Sequence, residues 1–146
     1  MGKIHNLHCS KCGYGIKAWI GIGMMYAPGM IFEGQDPELV SLVDDTKIST
    51  AALKLVKKGK KVSEHYGHAM YSCPNDYYLF NKFYFKVGDM EPAYPCPYCD
   101  ATLKRVNFAK GKIGSTRLKF VGLDKYWHCP KCGNDSLNEI SIANWD

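Results

Sequence analysis

Apolar and polar side chains alternate between Tyr77 and Val87, and this period of two predicts a β-strand. One face of the strand would present apolar side chains to the core, namely Leu79, Phe83, Phe85 and Val87. The opposite face would mix aromatic rings with lysines, namely Tyr78, Phe80, Lys82, Tyr84 and Lys86. Such a mixture covers many half-exposed sheets, and it also occurs on surfaces that bind single-stranded nucleic acid.

The pattern becomes helical over residues 36–62. Asp36 can cap a helix and Pro37 suits its first turn, and the apolar residues that follow share one side, namely Leu39, Val40 and Val43. A second helix is predicted to begin at Ser49 or Thr50 and to end before Gly59. Lysines near that end complement the helix dipole, which favours a solvated helix end over a nucleic-acid contact.

Shorter strands are predicted on either side of these elements. A strand around residues 65–72 would lead into Cys73, and residues 102–108 and 117–121 would form a hairpin. The glycine-containing segment 110–114 would join the two strands of that hairpin. Residues 139–143 would form a final short strand.

The cysteines add a chemical constraint to this pattern. Cys96-Pro-Tyr-Cys99 and Cys129-Pro-Lys-Cys132 are two CxxC turns, here called knuckles. Two thiolates on one tight turn can take two corners of a tetrahedron around a metal ion, and a second turn can supply the other two at about 2.3 Å. Because these two knuckles are close in sequence, they predict one zinc site with four cysteine ligands, the C-terminal site.

A further knuckle, Cys9-Ser-Lys-Cys12, needs ligands from elsewhere to form an N-terminal site. Cys73 and Asp76 have the same spacing, with an aspartate in the last place, and an Asp oxygen binds zinc at a distance similar to a His nitrogen. We therefore predict Cys9, Cys12 and Cys73 as ligands, with Asp76 as the fourth. His68 is an alternative fourth ligand, and the other nearby histidines compete for the same role, namely His5, His8 and His65.

The chain contains seven cysteines, six of them in CxxC pairs, which is typical of metal binding rather than of a disulfide framework. The predicted fold class is α+β, with small antiparallel β zinc-ribbon modules and a helical insertion of about two helices at residues 36–62. The predicted domains are a zinc-knuckle lobe with that insertion, residues 1–90, and a zinc ribbon, residues 91–146. Two Zn²⁺ ions are expected as cofactors.

These motifs resemble small uncharacterised bacterial zinc-ribbon proteins. The resemblance covers most of residues 5–80 and is carried by Cys9, Cys12, Gly13, Tyr14, Gly21, Gly23, Tyr26, Cys73 and Asp76, the last standing where a cysteine would be expected. It implies a metal-stabilised fold with no assigned reaction.

A second resemblance is to rubredoxins, in which paired Cys-x-x-Cys-Gly loops bind iron. Residues 9–13 and 129–133 each match one such loop. The two loops are normally partners in one site, but here they lie far apart in the chain and the second has a nearer partner in Cys96 and Cys99. Tetrahedral sulfur suits zinc or iron, so the resemblance leaves iron electron transfer as an alternative.

The net charge is +5, and the distribution of the basic residues along the chain is more informative than this total. Residues 101–123 contain six basic side chains and no acidic one, namely Lys104, Arg105, Lys110, Lys112, Arg117 and Lys119. Basic side chains on a hairpin can contact phosphates with little sequence preference. An exposed ribbon hairpin can equally bind another protein, so the partner is predicted as nucleic acid or protein.

A site closed by four cysteines leaves no coordination position for a substrate. The sequence therefore favours a non-enzymatic zinc-binding interaction module, and the alternative is a metalloenzyme that uses an open N-terminal site. The longest apolar run, residues 18–32, contains Pro28 and is too short for a membrane span. No secretory signal is visible, and we expect a cytoplasmic protein without membrane attachment.

Overall fold

The computed structural model describes residues 2–22, 27–110 and 115–145, with the backbone alone for Trp145. Eleven elements follow one another in these residues: β1 (Gly2–Cys9), β2 (Gly15–Ile20), α1 (Pro28–Phe32), α2 (Leu39–Leu42), α3 (Thr46–Lys57), β3 (Gly67–Ser72), β4 (Leu79–Tyr84), β5 (Lys104–Lys110), β6 (Thr116–Phe120), β7 (Tyr126–Trp127) and β8 (Leu137–Trp145).

The strands form two sheets whose neighbouring strands are all antiparallel. The smaller sheet has the order β2-β1-β8, so that β1 lies at its centre. The larger sheet has the order β4-β3-β5-β6-β7. Both sheets combine strands from the predicted lobes 1–90 and 91–146, and that division into domains stays a prediction.

The predicted α+β class is wrong, because the described chain is mostly β with three small helices. Helix α2 is a single turn that ends where Val43 becomes extended. Helix α3 begins earlier than predicted because Asp45 caps it, and its carboxylate accepts hydrogen bonds from the backbone N–H groups of Lys47 and Ile48. The helical pattern was real, but it covers too little of the chain to set the class.

Two hydrophobic cores lie on the larger sheet. The first core packs the helices against β3, β4 and the chain that follows them, with Phe83, Phe85 and Tyr94 at its centre. The second core packs the smaller sheet against β5 and β6 and includes Leu7 and Leu118. The predicted core face of residues 77–87 is confirmed, since Leu79, Phe83, Phe85 and Val87 are all at most 5% exposed.

Candidate metal centres and a basic sheet face

The chain folds into four turns with the same backbone geometry. In each turn, the N–H of the fifth residue donates a hydrogen bond to the carbonyl of the first. These bonds are Gly13 to Cys9 at 3.0 Å, Tyr77 to Cys73 at 2.9 Å, Asp100 to Cys96 at 3.3 Å and Gly133 to Cys129 at 2.8 Å. Residues 73–76 therefore form a knuckle like the other three, and Asp76 occupies the position that Cys12, Cys99 and Cys132 occupy in theirs.

The fifth residue of every knuckle also has a left-handed conformation. The φ angles are 79° for Gly13, 63° for Tyr77, 61° for Asp100 and 74° for Gly133. Glycine adopts this conformation without a steric cost, whereas tyrosine and aspartate do not. The same positive φ angle at two non-glycine residues supports the equivalence of the four turns.

The first cysteine cluster consists of Cys9, Cys12, Cys129 and Cys132, whose Sγ atoms all lie within 4.8 Å of one another. Cys9 Sγ is 3.6 Å from Cys132 Sγ, and Cys12 Sγ is 3.5 Å from Cys129 Sγ. A tetrahedron with metal–sulfur bonds of about 2.3 Å has edges of roughly 3.8 Å. The four sulfurs are therefore spaced as ligands of a single metal ion would be.

The second cysteine cluster consists of Cys73, Cys96 and Cys99. Cys73 Sγ lies 3.3 Å from Cys99 Sγ, and the Oδ2 atom of Asp76 lies 3.9 Å from Cys96 Sγ. The cluster thus has three thiols and a carboxylate at its edge. Cys73 and Cys96 are buried, while Cys99 is exposed.

The pairing of knuckles that the sequence predicted is wrong. Cys96 and Cys99 do not share a cluster with Cys129 and Cys132, and Cys73 does not join Cys9 and Cys12. The reason lies in the sheets: β1 pairs with β8, which places Cys9 opposite Leu137, and β3 pairs with β5, which places Ser72 opposite Lys104. The loops that match rubredoxin are therefore partners, although Cys12 and Cys129 are 117 positions apart.

Hydrogen bonds to sulfur give the first cluster unequal thiols. Burial of Cys9 opposes its ionisation, but the Ser136 hydroxyl and the backbone N–H groups of Lys11 and Cys12 outweigh it and lower the pKa of Cys9 to about 5. Burial raises the pKa of Cys129 to about 12. The Ser136 Oγ lies 3.0 Å from the Cys9 sulfur and was not predicted as part of the site.

The second cluster has a similar supporting residue in Asn75. Its backbone N–H donates to Cys73 Sγ at 3.4 Å, and its side-chain amide donates to Cys99 Sγ at 3.5 Å. Burial raises the pKa of Cys73, whereas hydrogen bonds from the Ala101 backbone and from Asn75 lower the pKa of Cys99. The hydrogen bond from the Asn75 backbone could have been predicted from the sequence, because Asn75 lies inside a knuckle and the N–H groups of such turns point at the sulfurs.

The histidines lie outside both clusters in the part of the chain that the structure describes. His68 is in β3, where its ring meets the edge of Phe83 at a centroid distance of 5.6 Å, and burial lowers its pKa. His5 Nδ1 lies 2.7 Å from a carboxylate oxygen of Glu139. The alternative that a histidine completes a site finds no support in these positions.

The predicted nucleic-acid contacts fall on and around the β5–β6 hairpin. Lys104 and Lys110 are exposed in β5, and Lys112 lies outside the described residues. The guanidinium carbon of Arg105 lies 3.7 Å from the ring centroid of Tyr84, and that of Arg117 lies 4.5 Å from the ring centroid of Tyr126. Lys119 forms an ion pair with Asp124 at 3.6 Å.

The strand register places several of these side chains on one face of the larger sheet. Directly opposed residues in antiparallel strands share a face, as do residues two apart in one strand. The register pairs Tyr71 with both Phe80 and Arg105, and it pairs Lys119 with both Asn107 and Tyr126. The shared face, here called the basic face, includes Lys82, Tyr84, Arg105, Arg117, Lys119 and Tyr126.

Comparisons with known proteins identify no relative. No family model, no curated protein and no solved structure matches this chain. The resemblance to zinc-ribbon proteins thus rests on the sequence motifs alone, and the structure adds that the cysteines form clusters that could hold metal. Among the helices that the structure describes, none has the length and apolar character needed to cross a membrane.

Proposed function

We propose that the protein is a non-enzymatic zinc-binding module that binds single-stranded nucleic acid through its basic face. The observation that carries the proposal is the stacking of Arg105 on Tyr84 and of Arg117 on Tyr126 on one face of the larger sheet. The two clusters would act as structural supports for this face.

Zinc suits both clusters by ligand type and spacing. The first cluster offers four thiols at tetrahedral separations. In the second, Asp76 holds the fourth-ligand position of its knuckle and would complete three thiols with one oxygen. Such a set binds Zn²⁺, which needs no particular geometry from its d electrons, and a bound ion would supply folding free energy.

The first cluster argues against catalysis there, because four protein ligands would fill a tetrahedral ion. A metalloenzyme would have to use the second cluster, where an oxygen ligand exchanges more readily than a thiolate. Iron in the first cluster is the other alternative, and it would give a coloured protein. Metal analysis of the purified chain separates zinc from iron in either cluster.

The basic face favours nucleic acid because its arginines are held flat and lack acidic partners. Neither Arg105 nor Arg117 pairs with a carboxylate among the described residues. A guanidinium stacked on one ring can present its other plane to a base and its terminal N–H groups to phosphates. In Arg117 this role falls to the terminal nitrogens, since its Nε is buried. Nothing in this arrangement reads a base edge, so we expect weak sequence preference.

The test is binding of a labelled single-stranded oligothymidine to the zinc-loaded protein at several salt concentrations. With about four phosphate contacts, the slope of log affinity against log salt should be about −3. A variant with Arg105→Gln and Arg117→Gln should bind at least about tenfold more weakly, with a slope smaller by about one to one and a half.

The matched control is Lys57→Gln with Lys58→Gln, which removes the same charge from the end of α3. This control should keep most of the binding, because those lysines lie outside the basic face. Equal loss in both variants would show that net charge alone attracts the strand. Absence of binding at low salt would overturn the proposal and favour a protein partner.

A further inference from the structure

Aromatic side chains from three of the four knuckles surround one cleft of about 480 Å³. The cleft, here called the aromatic cleft, is lined by Tyr14, Asp76, Tyr78, Leu79, Phe80 and Tyr98. Tyr14 follows the first knuckle, Tyr78 and Phe80 follow the second, and Tyr98 lies inside the third. The fold therefore gathers four rings that come from turns of both cysteine clusters.

The rings form two tilted pairs rather than a filled stack. The centroids of Tyr14 and Tyr78 are 5.9 Å apart, and those of Phe80 and Tyr98 are 6.3 Å apart. Tyr98 is 77% exposed, so that most of its side chain is in contact with solvent. Ring faces that are turned towards solvent around a concave space are available to a ligand.

The charges around the cleft are negative. Asp76 contributes a carboxylate to its lining, and none of the described residues that line it is a lysine or an arginine. An anion such as a phosphate would therefore be repelled, whereas a cation would be attracted both by the Asp76 carboxylate and by the ring faces.

The cleft is poor in hydrogen-bond acceptors for an unmodified ammonium group. The Oδ1 atom of Asp76 accepts from the backbone N–H of Tyr78, and its Oδ2 atom lies 3.9 Å from Cys96 Sγ in the second cluster. The hydroxyl of Tyr14 accepts from the backbone N–H of Leu79. An alkylated ammonium group needs no such acceptors, because its methyl groups carry the positive charge onto the ring faces.

We propose that the aromatic cleft binds an alkylated ammonium group. The ligand is a quaternary ammonium compound or the methylated lysine side chain of a protein, and both present the same cation to the rings. Phe80 lies on the same face of β4 as Lys82 and Tyr84, so the cleft adjoins the basic face, but no basic side chain of that face lines the cleft.

The test titrates the zinc-loaded protein with choline and follows the ring signals of the tyrosines by NMR. The matched probe is 3,3-dimethyl-1-butanol, which has the same shape with carbon in place of the charged nitrogen. We expect choline to bind at least about fivefold more tightly than the neutral isostere, a ratio that corresponds to a cation–π contribution of about 1 kcal/mol. Equal affinities would overturn the proposal and show an apolar cleft only.

Tyr98→Leu tests the location, because this exposed side chain can change without loss of core packing. We expect choline affinity to fall at least about threefold while metal content stays that of the wild type. Trp19→Leu removes another exposed ring away from the cleft and should leave choline binding unchanged. Unchanged binding in Tyr98→Leu, or no binding by the wild type, would also overturn the proposal.

A trimethyl-lysine peptide and its unmodified counterpart identify the source of the cation. A peptide that binds more tightly than choline, and that loses affinity without methylation, assigns the cleft to a protein ligand. Binding of peptide and choline with equal affinity assigns it to the free ammonium compound.

Discussion

Gly67 and Gly133 both have positive φ angles, but their surroundings differ. Gly67 begins β3, and a Cβ atom built on it would lie 2.9 Å from the carbonyl carbon of Gly21. Gly21 and His68 exchange two backbone hydrogen bonds of 2.8 and 2.7 Å, so that this contact joins the two sheets. A Cβ atom on Gly133, at the end of its knuckle, would meet no atom within 4 Å.

Gly67→Ala should therefore destabilise the zinc-loaded protein by roughly 3 kcal/mol, because backbone must move in addition to the strain at φ. Gly133→Ala should lower the free energy of unfolding by about 1 kcal/mol, since the left-handed backbone conformation is the only source of strain at that position. Urea unfolding of the two variants measures the difference. Equal losses would mean that the contact between Gly21 and Gly67 is easily relaxed.

Tyr77 shows why a knuckle can end without glycine. Its ring lies 5.2 Å from that of Trp127 and 6.1 Å from that of Phe120 by centroid distance, so that the second core holds the residue in place. These contacts offset a left-handed conformation that costs about 1–2 kcal/mol in isolation. Asp100 has the same conformation, which aspartate tolerates better than most residues do.

The pairing of strands decides which knuckles meet. β1 carries Cys9 at its end and pairs with β8, which begins shortly after Cys132. β3 ends at Ser72, just before Cys73, and pairs with β5, which begins shortly after Cys99. Each cluster therefore lies at the end of one pair of antiparallel strands from distant parts of the chain.

Double cysteine variants test this pairing by metal content. Cys9→Ser with Cys129→Ser should remove one equivalent of zinc, because both thiols belong to the first cluster. Cys96→Ser with Cys129→Ser should remove both equivalents, because these two thiols belong to different clusters. Elemental analysis of the two proteins makes the comparison, and the reverse result would restore the pairing that sequence proximity suggested.

At the scale of the whole molecule, the basic face and the aromatic cleft adjoin at Phe80 but differ in charge. The basic face has stacked arginines without acidic partners among the described residues. The aromatic cleft lies beside the cysteine clusters and has a carboxylate in its lining. The two surfaces would attract ligands of opposite charge, so one chain could hold a nucleic-acid strand and a cationic group together.

Removal of metal should affect the whole fold, because each cluster joins distant segments. A structural zinc ion contributes on the order of 10 kcal/mol, which is comparable with the total stability of a typical domain. We expect a strong chelator to abolish cooperative thermal unfolding and to release two equivalents of zinc. Added Zn²⁺ should restore the transition and added Mg²⁺ should not, and a sharp transition in the metal-free protein would contradict this expectation.

The sequence by itself identified the knuckles and the core face of residues 77–87, because both follow from local rules. A CxxC turn needs only four adjacent residues, and alternation along one strand needs no knowledge of its neighbours. The sequence also predicted that Cys73-Pro-Asn-Asp76 is equivalent to a knuckle, because the spacing is the same although aspartate replaces the second cysteine.

Only the tertiary structure decided which knuckles share a cluster, and the reason is that sheet pairing joins residues far apart in the chain. Proximity in sequence favoured Cys96 and Cys129 as partners, but the pairing of β1 with β8 brought Cys9 to Cys132 instead. The aromatic cleft could not be predicted from the sequence for the same reason. Its rings come from separate turns that the two sheets bring together.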